Sequence, residues 1–231
     1  MKIGIVGGLG PESTVDYYRM IIEMYRTAKN DGSYPEIIIS SVDMKRSLEL
    51  SEQGDLSGLT EFILVGIQSL AKAGSDVGII ASNTPHIVFD DVQKRSPIPL
   101  LSIVEETANY VAAKGIKNVG LLGTRYTMQS DFYQKVLQRY NIASVVPHQD
   151  DQDYIQQKLF SEIEFGIFKD ETRSSLIDIV QRMKNEFAVQ GVILGCTELP
   201  LILTNDECGI PFINPSRIHS ASVVDYILKK K

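Results

Sequence analysis

The order of its hydrophobic segments constrains the fold of this chain more than any other feature. Short apolar runs such as "KIGIVGG" and "DVGIIAS" have the length and composition of buried strands. Between such runs, apolar residues recur with helical spacing, as in Tyr18, Ile21, Ile22 and Tyr25. Strands that alternate with helices predict a parallel α/β sheet with right-handed crossover connections.

The pattern occurs twice along the chain. Three pairs of positions are equivalent in the two halves: Gly7 with Gly123, Ser82 with Cys196, and Pro99 with Pro211. Their separations are 116, 114 and 112 positions, as expected for a duplicated domain that has lost residues in its loops. Two unrelated α/β halves would not need such ordered offsets. We therefore predict two pseudosymmetric parallel-sheet α/β domains, with the active site in the cleft between them.

The same offsets suggest where the domains begin and end. We predict an N-terminal α/β domain over residues 1–103 and a C-terminal α/β domain over residues 104–215. The last segment, residues 216–231, has helical spacing, and we expect that helix to pack back on the first domain.

Composition narrows the class of protein. A formal charge of −6 argues against nucleic acid as a partner, and no apolar stretch approaches the roughly 20 residues of a membrane span. The start "MKIGIVGG" runs straight into a strand, so we expect no signal peptide. Two cysteines form no disulfide framework and fit a reducing compartment. We therefore expect a cytoplasmic protein with no membrane partner.

Two similar segments follow buried strands, "IIASNTPH" at residues 79–86 and "VILGCTELP" at residues 192–200. Ligands of open parallel sheets bind outside the carboxyl ends of the strands. If the two halves face each other, Ser82 and Cys196 would address two faces of one small molecule. Only the second segment carries a thiol, and this asymmetry has to be explained.

The turn "GGLGPEST", residues 7–14, offers backbone N–H groups at a helix start. A dinucleotide is disfavoured, because the third glycine of that fingerprint is missing and Pro11 removes one N–H group. Binding of a carboxylate, with Gly8 as a contact, and a purely structural turn both stay open.

The polar side chains of these two strand-end segments also have alternative roles. Cys196 is either a small buried residue or a reactive thiol whose thiolate a following helix start would stabilise. Asn83, Thr84 and Thr197 either bind a carboxylate or satisfy loop backbone. Glu198 either caps a helix or orients an ammonium group.

The other candidates are weaker on sequence alone. His86 and His219 cap helices or act as acids, and a Cys–His hydrolase pairing stays open. Cys208 lies in a polar loop and is interpreted as incidental. No His, Cys and Asp set has metal-ligand spacing, so we expect no metal.

Among the cations, Arg46 is favoured over Lys45 because a guanidinium binds a carboxylate with two hydrogen bonds. Lys169 precedes a helix, and composition alone favours a solvated surface charge for each of these cations.

Taken together, the segments resemble the aspartate/glutamate racemase family, in its aspartate racemase branch. The matching pieces are "GIVGGLGPEST", "ASNTPH", "LLGTRYTM", "GCTELPL" and "IPFINP", in family order over nearly the whole chain. The resemblance implies a racemase, commonly dimeric, that needs no cofactor, pyridoxal phosphate included, and acts on aspartate or glutamate. Two cysteines flank the substrate Cα, one removing a proton and the other delivering one to the opposite face.

The resemblance also implies residue roles. The second family cysteine is Cys196, and the position of the first holds Ser82. The family's substrate-binding residues match Arg46, Asn83, Thr84, Thr124, Lys169 and Thr197. To these we add Gly8 and Glu198 as further candidate substrate-binding residues. Among these, Arg46 and Lys169 match the basic residues used for an acidic substrate.

Ser82 departs from the family pattern, and an alkoxide is much harder to form than a thiolate. Ser82 is an engineered replacement, a natural residue of a one-sided or slow enzyme, or a mark of single-thiol chemistry as in arylmalonate decarboxylases. We favour the first interpretation because the residues around position 82 keep the racemase pattern. A non-catalytic amino-acid-binding protein is the alternative from a different class.

Overall fold

The computed structural model describes residues 1–204 and 206–229 and divides them between two compact units. Unit 1 holds residues 1–106 together with the described residues from Ser216 onward, and unit 2 holds Thr107–Pro215. No helix within the described ranges is long and apolar enough to cross a bilayer.

Unit 1 contains a parallel sheet of four strands in the order β2-β1-β3-β4. The strands are β1 (Lys2–Gly7), β2 (Glu36–Ser41), β3 (Val77–Ile80) and β4 (Leu100–Leu101). The helices that follow the first three strands are α1 (Pro11–Lys29), α2 (Met44–Glu52), α3 (Leu56–Lys72) and α4 (Phe89–Arg95). The next helix, α5 (Ile103–Ala113), begins in unit 1 and ends in unit 2. A short 3₁₀ helix, Thr84–Val88, precedes α4.

Unit 2 repeats this topology in a second parallel sheet with the order β6-β5-β7-β8. Its strands are β5 (Asn118–Leu122), β6 (Ala143–Val145), β7 (Val192–Leu194) and β8 (Phe212–Ile213). Its helices are α6 (Arg125–Gln129), α7 (Phe132–Arg139), α8 (Gln149–Ser161), α9 (Asp170–Phe187) and α10 (Leu199–Ile202). A short 3₁₀ helix, Ile163–Phe165, joins α8 to α9.

The last helix, α11 (Pro215–Lys229), buries its apolar side in unit 1. Val223, Val224 and Ile227 join a core cluster that includes Ile5 of β1 and Tyr17 of α1. Two hydrogen bonds of His219, described below, add to this packing. The predicted helix over residues 216–231 thus has a counterpart in α11, and positions 230 and 231 lie outside the described residues.

The predicted α/β class with two parallel sheets is confirmed, and the two sheets have the same strand order. The apolar run "PLLSIV" at residues 99–104 also predicts a buried strand from the sequence, and this prediction is mostly wrong. Only Leu100 and Leu101 are extended, because Ser102 begins α5: its hydroxyl accepts the Glu105 N–H at 3.3 Å and its carbonyl accepts the Glu106 N–H at 3.0 Å. A serine cap of this kind favours a helix over continued strand.

Candidate active site

The predicted site residues of unit 1 lie at the carboxyl edge of its sheet. β1 and β3 are neighbours, and the chain leaves β1 toward β2 on one side and reaches β3 on the other. Such a reversal of strand order marks the usual ligand site of an open parallel sheet. Gly8 directly follows β1, and Ser82 comes two residues after the end of β3.

The backbone N–H of Gly8 already has a hydrogen-bond partner within the chain. Gly8 has a φ of 78°, and a Cβ there would lie 2.4 Å from the Val42 carbonyl oxygen, so only glycine fits. Its N–H donates to Thr14 Oγ1 at 2.9 Å. This bond favours the structural interpretation of the turn, and a role of Gly8 in binding substrate stays a prediction.

The segment at Ser82 is held by a buried imidazole. His86 Nε2 accepts the Ile103 N–H at 3.2 Å, so the proton is on Nδ1, which donates to the Ser82 carbonyl oxygen at 2.8 Å. The ring also stacks on Phe89. Both ring nitrogens are therefore engaged with backbone, and His86 is not placed as a base for the Ser82 hydroxyl.

A second buried imidazole anchors α11 beside the first. His219 Nε2 donates to the Leu101 carbonyl oxygen at 2.9 Å, and Nδ1 accepts from the Tyr17 hydroxyl at 3.1 Å. Burial lowers the pKa of His86 to about 3, with the neighbouring His219 adding to the effect, and burial lowers the pKa of His219 to about 4. Both rings are neutral near pH 7, so neither is a general acid there.

The equivalent edge of unit 2 is built from two closely apposed glycine segments. Gly195 N–H donates to the Leu122 carbonyl oxygen at 2.6 Å, and a Cβ on Gly195 would come within 2.7 Å of that oxygen. Gly123, at the end of β5, would bring a Cβ within 3.1 Å of the Gly195 carbonyl oxygen. This close approach sets the position of Cys196, two residues beyond β7, the same offset that Ser82 has from β3.

Cys196 is buried, with 6% of its surface exposed, and contacts the carboxylate of Glu198. The thiol donates to Glu198 Oε2 at 3.1 Å, and the Thr197 hydroxyl donates to the same oxygen at 2.8 Å. Glu198 itself is only 4% exposed. Its other oxygen, Oε1, is buried and has no hydrogen-bond partner within the described part of the chain.

A second carboxyl group, Glu164 in the 3₁₀ helix after α8, acts on the same thiol, and sequence reasoning missed it. Burial, with a smaller contribution from Glu198, raises the pKa of Glu164 to about 7. The available signal was an acidic residue between Ile163 and Phe165 in "SEIEFGIF". That signal is weak, because Glu164 is 32 positions from Cys196 in the chain and only the fold brings their charges together.

The expectation that a helix start stabilises the Cys196 thiolate is wrong. Burial raises the pKa of Cys196 well above its ordinary value, and the charges of Glu198 and Glu164 raise it further. A hydrogen bond from the Glu198 backbone N–H opposes these effects without reversing the direction. The following helix, α10, has only four residues. Near pH 7 the resting residue is therefore a neutral thiol.

The remaining candidates occupy varied positions. Thr124 caps α6, its hydroxyl accepting the Thr127 N–H at 3.2 Å, and it follows β5 beside β7. Asn83 and Thr197 are buried, and Thr84 is half-buried. Arg46 lies in the first turn of α2 and is exposed, with a loose ion pair to Glu49 at 3.9 Å.

Lys169 is engaged with a carboxylate of its own unit. Its Nζ donates to Glu162 Oε1 at 3.0 Å, where Lys158 also donates at 2.7 Å, and Thr172 donates to Oε2 at 2.6 Å. These bonds, Lys158 foremost, lower the pKa of Glu162 to about 2. Lys169 would have to leave or share this partner to bind a substrate carboxylate, so its predicted role stays a prediction. Within the described ranges, no group of three His, Cys, Asp or Glu residues could hold a metal ion.

Fold and site together define a class: a duplicated α/β protein with a single buried thiol at the reversal point of its second sheet. The family model described as Asp/Glu/Hydantoin racemase matches residues 6–223, and the chain belongs to that family. The family assigned from sequence motifs, and with it the isomerase class, is thereby confirmed.

Individual relatives agree with this assignment. The broad specificity amino-acid racemase RacX of Bacillus subtilis (strain 168) is 29% identical over 229 residues, which cover 98% of each chain. The crystal structure of an aspartate racemase homologue from Pyrococcus horikoshii OT3 has a TM-score of 0.82 and 34% identity, covering 97% of this chain and 98% of the other. The aspartate racemase of Picrophilus torridus has a TM-score of 0.80 and 27% identity, with coverages of 97% and 93%.

Proposed function

We propose that this chain is a cofactor-independent racemase of aspartate- or glutamate-type amino acids in which Cys196 moves the Cα proton. The observation that carries the proposal is the place of Cys196: a buried thiol at the reversal point of a parallel sheet, bonded to a buried carboxylate. Family membership supplies the reaction class. The relatives' names alone do not decide which amino acid is used, since RacX is described as having broad specificity.

The chemistry asks for a group that can both take and return a proton. A thiol, with an ordinary pKa of about 8.5, can do either near neutral pH. Loss of the Cα proton leaves an electron pair on carbon next to a carboxylate, and donors placed in advance would have to stabilise the charge on that carboxylate. We assign this role to the amide of Asn83 and the hydroxyls of Thr84, Thr124 and Thr197.

Inversion needs a second proton-transfer group on the opposite face of Cα. We place Ser82 at that position, on the strength of the duplicated strand ends. A serine hydroxyl is a poor acid and a worse base without help, and His86 is committed to backbone. The proposal therefore includes slow or one-sided catalysis, in which Cys196 exchanges the Cα proton more often than the substrate inverts.

The test is Cα proton exchange in heavy water, followed by proton NMR for each enantiomer of aspartate and glutamate and for a panel of neutral amino acids. We expect exchange to exceed inversion, and exchange to disappear in Cys196→Ser. Cys208→Ser is the matched control, because it removes the other thiol of the chain. Exchange that survives Cys196→Ser would overturn the assignment of the base.

A single-thiol decarboxylase is the second candidate, favoured by the presence of a thiol in only one of the two strand-end segments. In that reaction the carbanion forms by loss of carbon dioxide, and Cys196 delivers a proton to it. Release of carbon dioxide from an arylmalonate, without Cα exchange of amino acids, would favour this candidate. Binding of amino acids with neither reaction would favour a non-catalytic binding protein. A homodimer and a cytoplasmic location stay predictions.

A further inference from the structure

The thiol of Cys196 and the carboxylate of Glu198 form an arrangement that is incomplete without a cation. Glu198 Oε2 accepts two hydrogen bonds, from the Cys196 thiol and the Thr197 hydroxyl. Glu198 Oε1 is buried and has no partner in the described residues. A buried carboxylate oxygen without a donor is costly, so the site favours a ligand that brings one.

We infer that Glu198 Oε1 receives the α-ammonium group of the substrate, and that this pairing is what releases the Cys196 thiol to ionise. The inference rests on the proposed function and deepens it. It makes Glu198 a residue that contacts substrate and also controls the base. The free protein then holds a protected thiol, and the reactive thiolate forms only when an amino acid is bound.

The physical reason is the charge around the sulfur. The ionisable groups that act on Cys196 are Glu198 on its own segment and Glu164 on the 3₁₀ helix after α8, and both are acidic. A thiolate beside two carboxyl groups in a buried site is unfavourable. An ammonium group at Oε1 cancels the nearer charge, and its positive charge also attracts the thiolate directly.

This arrangement fixes the order of the proton transfers. As the ammonium group binds, the thiol releases its proton to solvent and the sulfur keeps the electron pair. The thiolate then takes the Cα proton, re-forming the S–H bond and leaving the C–H electron pair on carbon. Return of a proton from the thiol, or delivery of one from the other face, restores a neutral Cα.

The experiment titrates the Cys196 thiol by its thiolate ultraviolet absorbance in a Cys208→Ser background, where it is the only thiol of the chain. The probe ligand is α-methylaspartate, which carries the ammonium group and both carboxylates but has no Cα hydrogen to transfer. We expect the ligand to lower the pKa of the thiol. Methylsuccinate, which has the same skeleton without the ammonium group, should not lower it.

Two variants separate pairing from general electrostatics. Glu198→Gln should raise the rate of thiol alkylation without ligand about tenfold near neutral pH, and α-methylaspartate should then lower the thiol pKa no further. The same variant should raise the KM for the substrate about thirtyfold or more, since it leaves the ammonium group unpaired. Glu164→Gln should also favour the thiolate, but it should keep the response to the ligand.

The coupling is overturned if α-methylaspartate binds, as judged by ligand NMR, and leaves the thiol titration unchanged. It is also overturned if Glu198→Gln keeps the full response. If Glu198→Gln does not fold, the contrast between α-methylaspartate and methylsuccinate decides the question in the unaltered site. If no amino acid changes either the titration or Cα exchange, the proposed racemase function fails and the coupling fails with it.

Discussion

The two strand-end segments, one at Ser82 and one at Cys196, occupy equivalent places in equivalent sheets. They differ in the ionisable side chains that surround them. Around Ser82, neutral imidazoles bond to backbone and carry no charge near pH 7. Around Cys196, burial and the charges of two acidic side chains keep the thiol protonated. The duplication has preserved where the chain turns, and the two copies differ in what the turn can do with a proton.

The largest expected effect comes from giving both segments the same group. Ser82→Cys restores a second thiol, and inversion should rise by about 100-fold or more, the usual worth of a well-placed acid or base. The measurement is the rate of racemisation by polarimetry beside the rate of Cα exchange by NMR. An unchanged ratio of inversion to exchange would show that position 82 does not face the substrate.

Acid should have opposite effects on the stability of the two segments, destabilising through the histidines near Ser82 and stabilising through Glu164 near Cys196. His86 and His219 have folded pKa values of about 3 and about 4, below the ordinary value of 6.5. Between the folded pKa and pH 6.5, each histidine is protonated in the unfolded chain but not in the folded one. The free energy of unfolding therefore falls with falling pH, by about 1.4 kcal/mol per pH unit for each histidine. The contribution is fully present above pH 6.5.

Glu164 contributes with the opposite sign, because its folded pKa of about 7 lies above the ordinary 4.5. Its stabilising contribution is present below pH 4.5 and is lost as the pH rises to 7. Denaturant unfolding between pH 5 and 7 checks both signs. His219→Gln, whose amide can still donate to the Leu101 carbonyl oxygen, should flatten the profile, and Glu164→Gln should steepen it. The reverse pattern would contradict the assigned protonation states.

A smaller effect is expected at the residue that directly precedes Cys196 or Ser82 in its strand-end segment. Gly195→Ala should destabilise the protein by about 1–3 kcal/mol, because the added Cβ meets the Leu122 backbone at 2.7 Å. Ala81, the residue before Ser82, already carries a side chain and is buried, so Ala81→Gly is the matched change in unit 1. Thermal unfolding measures the change in stability of both variants. Proton NMR in heavy water should show that Gly195→Ala also lowers Cα exchange, because the added methyl group displaces Cys196. Full activity in Gly195→Ala would mean that the position of the thiol tolerates such a shift.

The smallest expected effect concerns the exposed cation Arg46. If it binds the side-chain carboxylate of an acidic substrate, Arg46→Ala should raise the KM for aspartate several-fold and leave a neutral amino acid unchanged. Stability should change by less than about 1 kcal/mol, since its ion pair with Glu49 is exposed. Lys45→Ala is the matched control, also with a loose pair to Glu49. Equal losses for acidic and neutral substrates would remove Arg46 from the specificity site.

Much of the backbone could be predicted, because strand and helix periodicity is a local property of the chain. The places where prediction failed involve local competition, as at Ser102, where a helix cap ended a strand early. Helices such as α2 and α8 are harder to predict from sequence, because polar residues interrupt their apolar spacing. The site was found in outline because Cys196 directly follows a recognisable buried strand. Its second carboxyl group, Glu164, was missed because its local signal, an acidic residue between two apolar ones, is weak.

The sequence by itself determined the duplicated α/β topology, the family, and the asymmetry between Ser82 and Cys196, since all three are written in residue order and spacing. Only the tertiary structure decided the protonation states. His219 is neutral because it is buried against Leu101 and Tyr17, which lie 118 and 202 positions away in the chain. Cys196 is a thiol because of burial first, then the charge of Glu198, and to a smaller extent that of the distant Glu164. Proton affinity depends on solvent and on nearby charge, and both are set by contacts between residues that are distant in sequence.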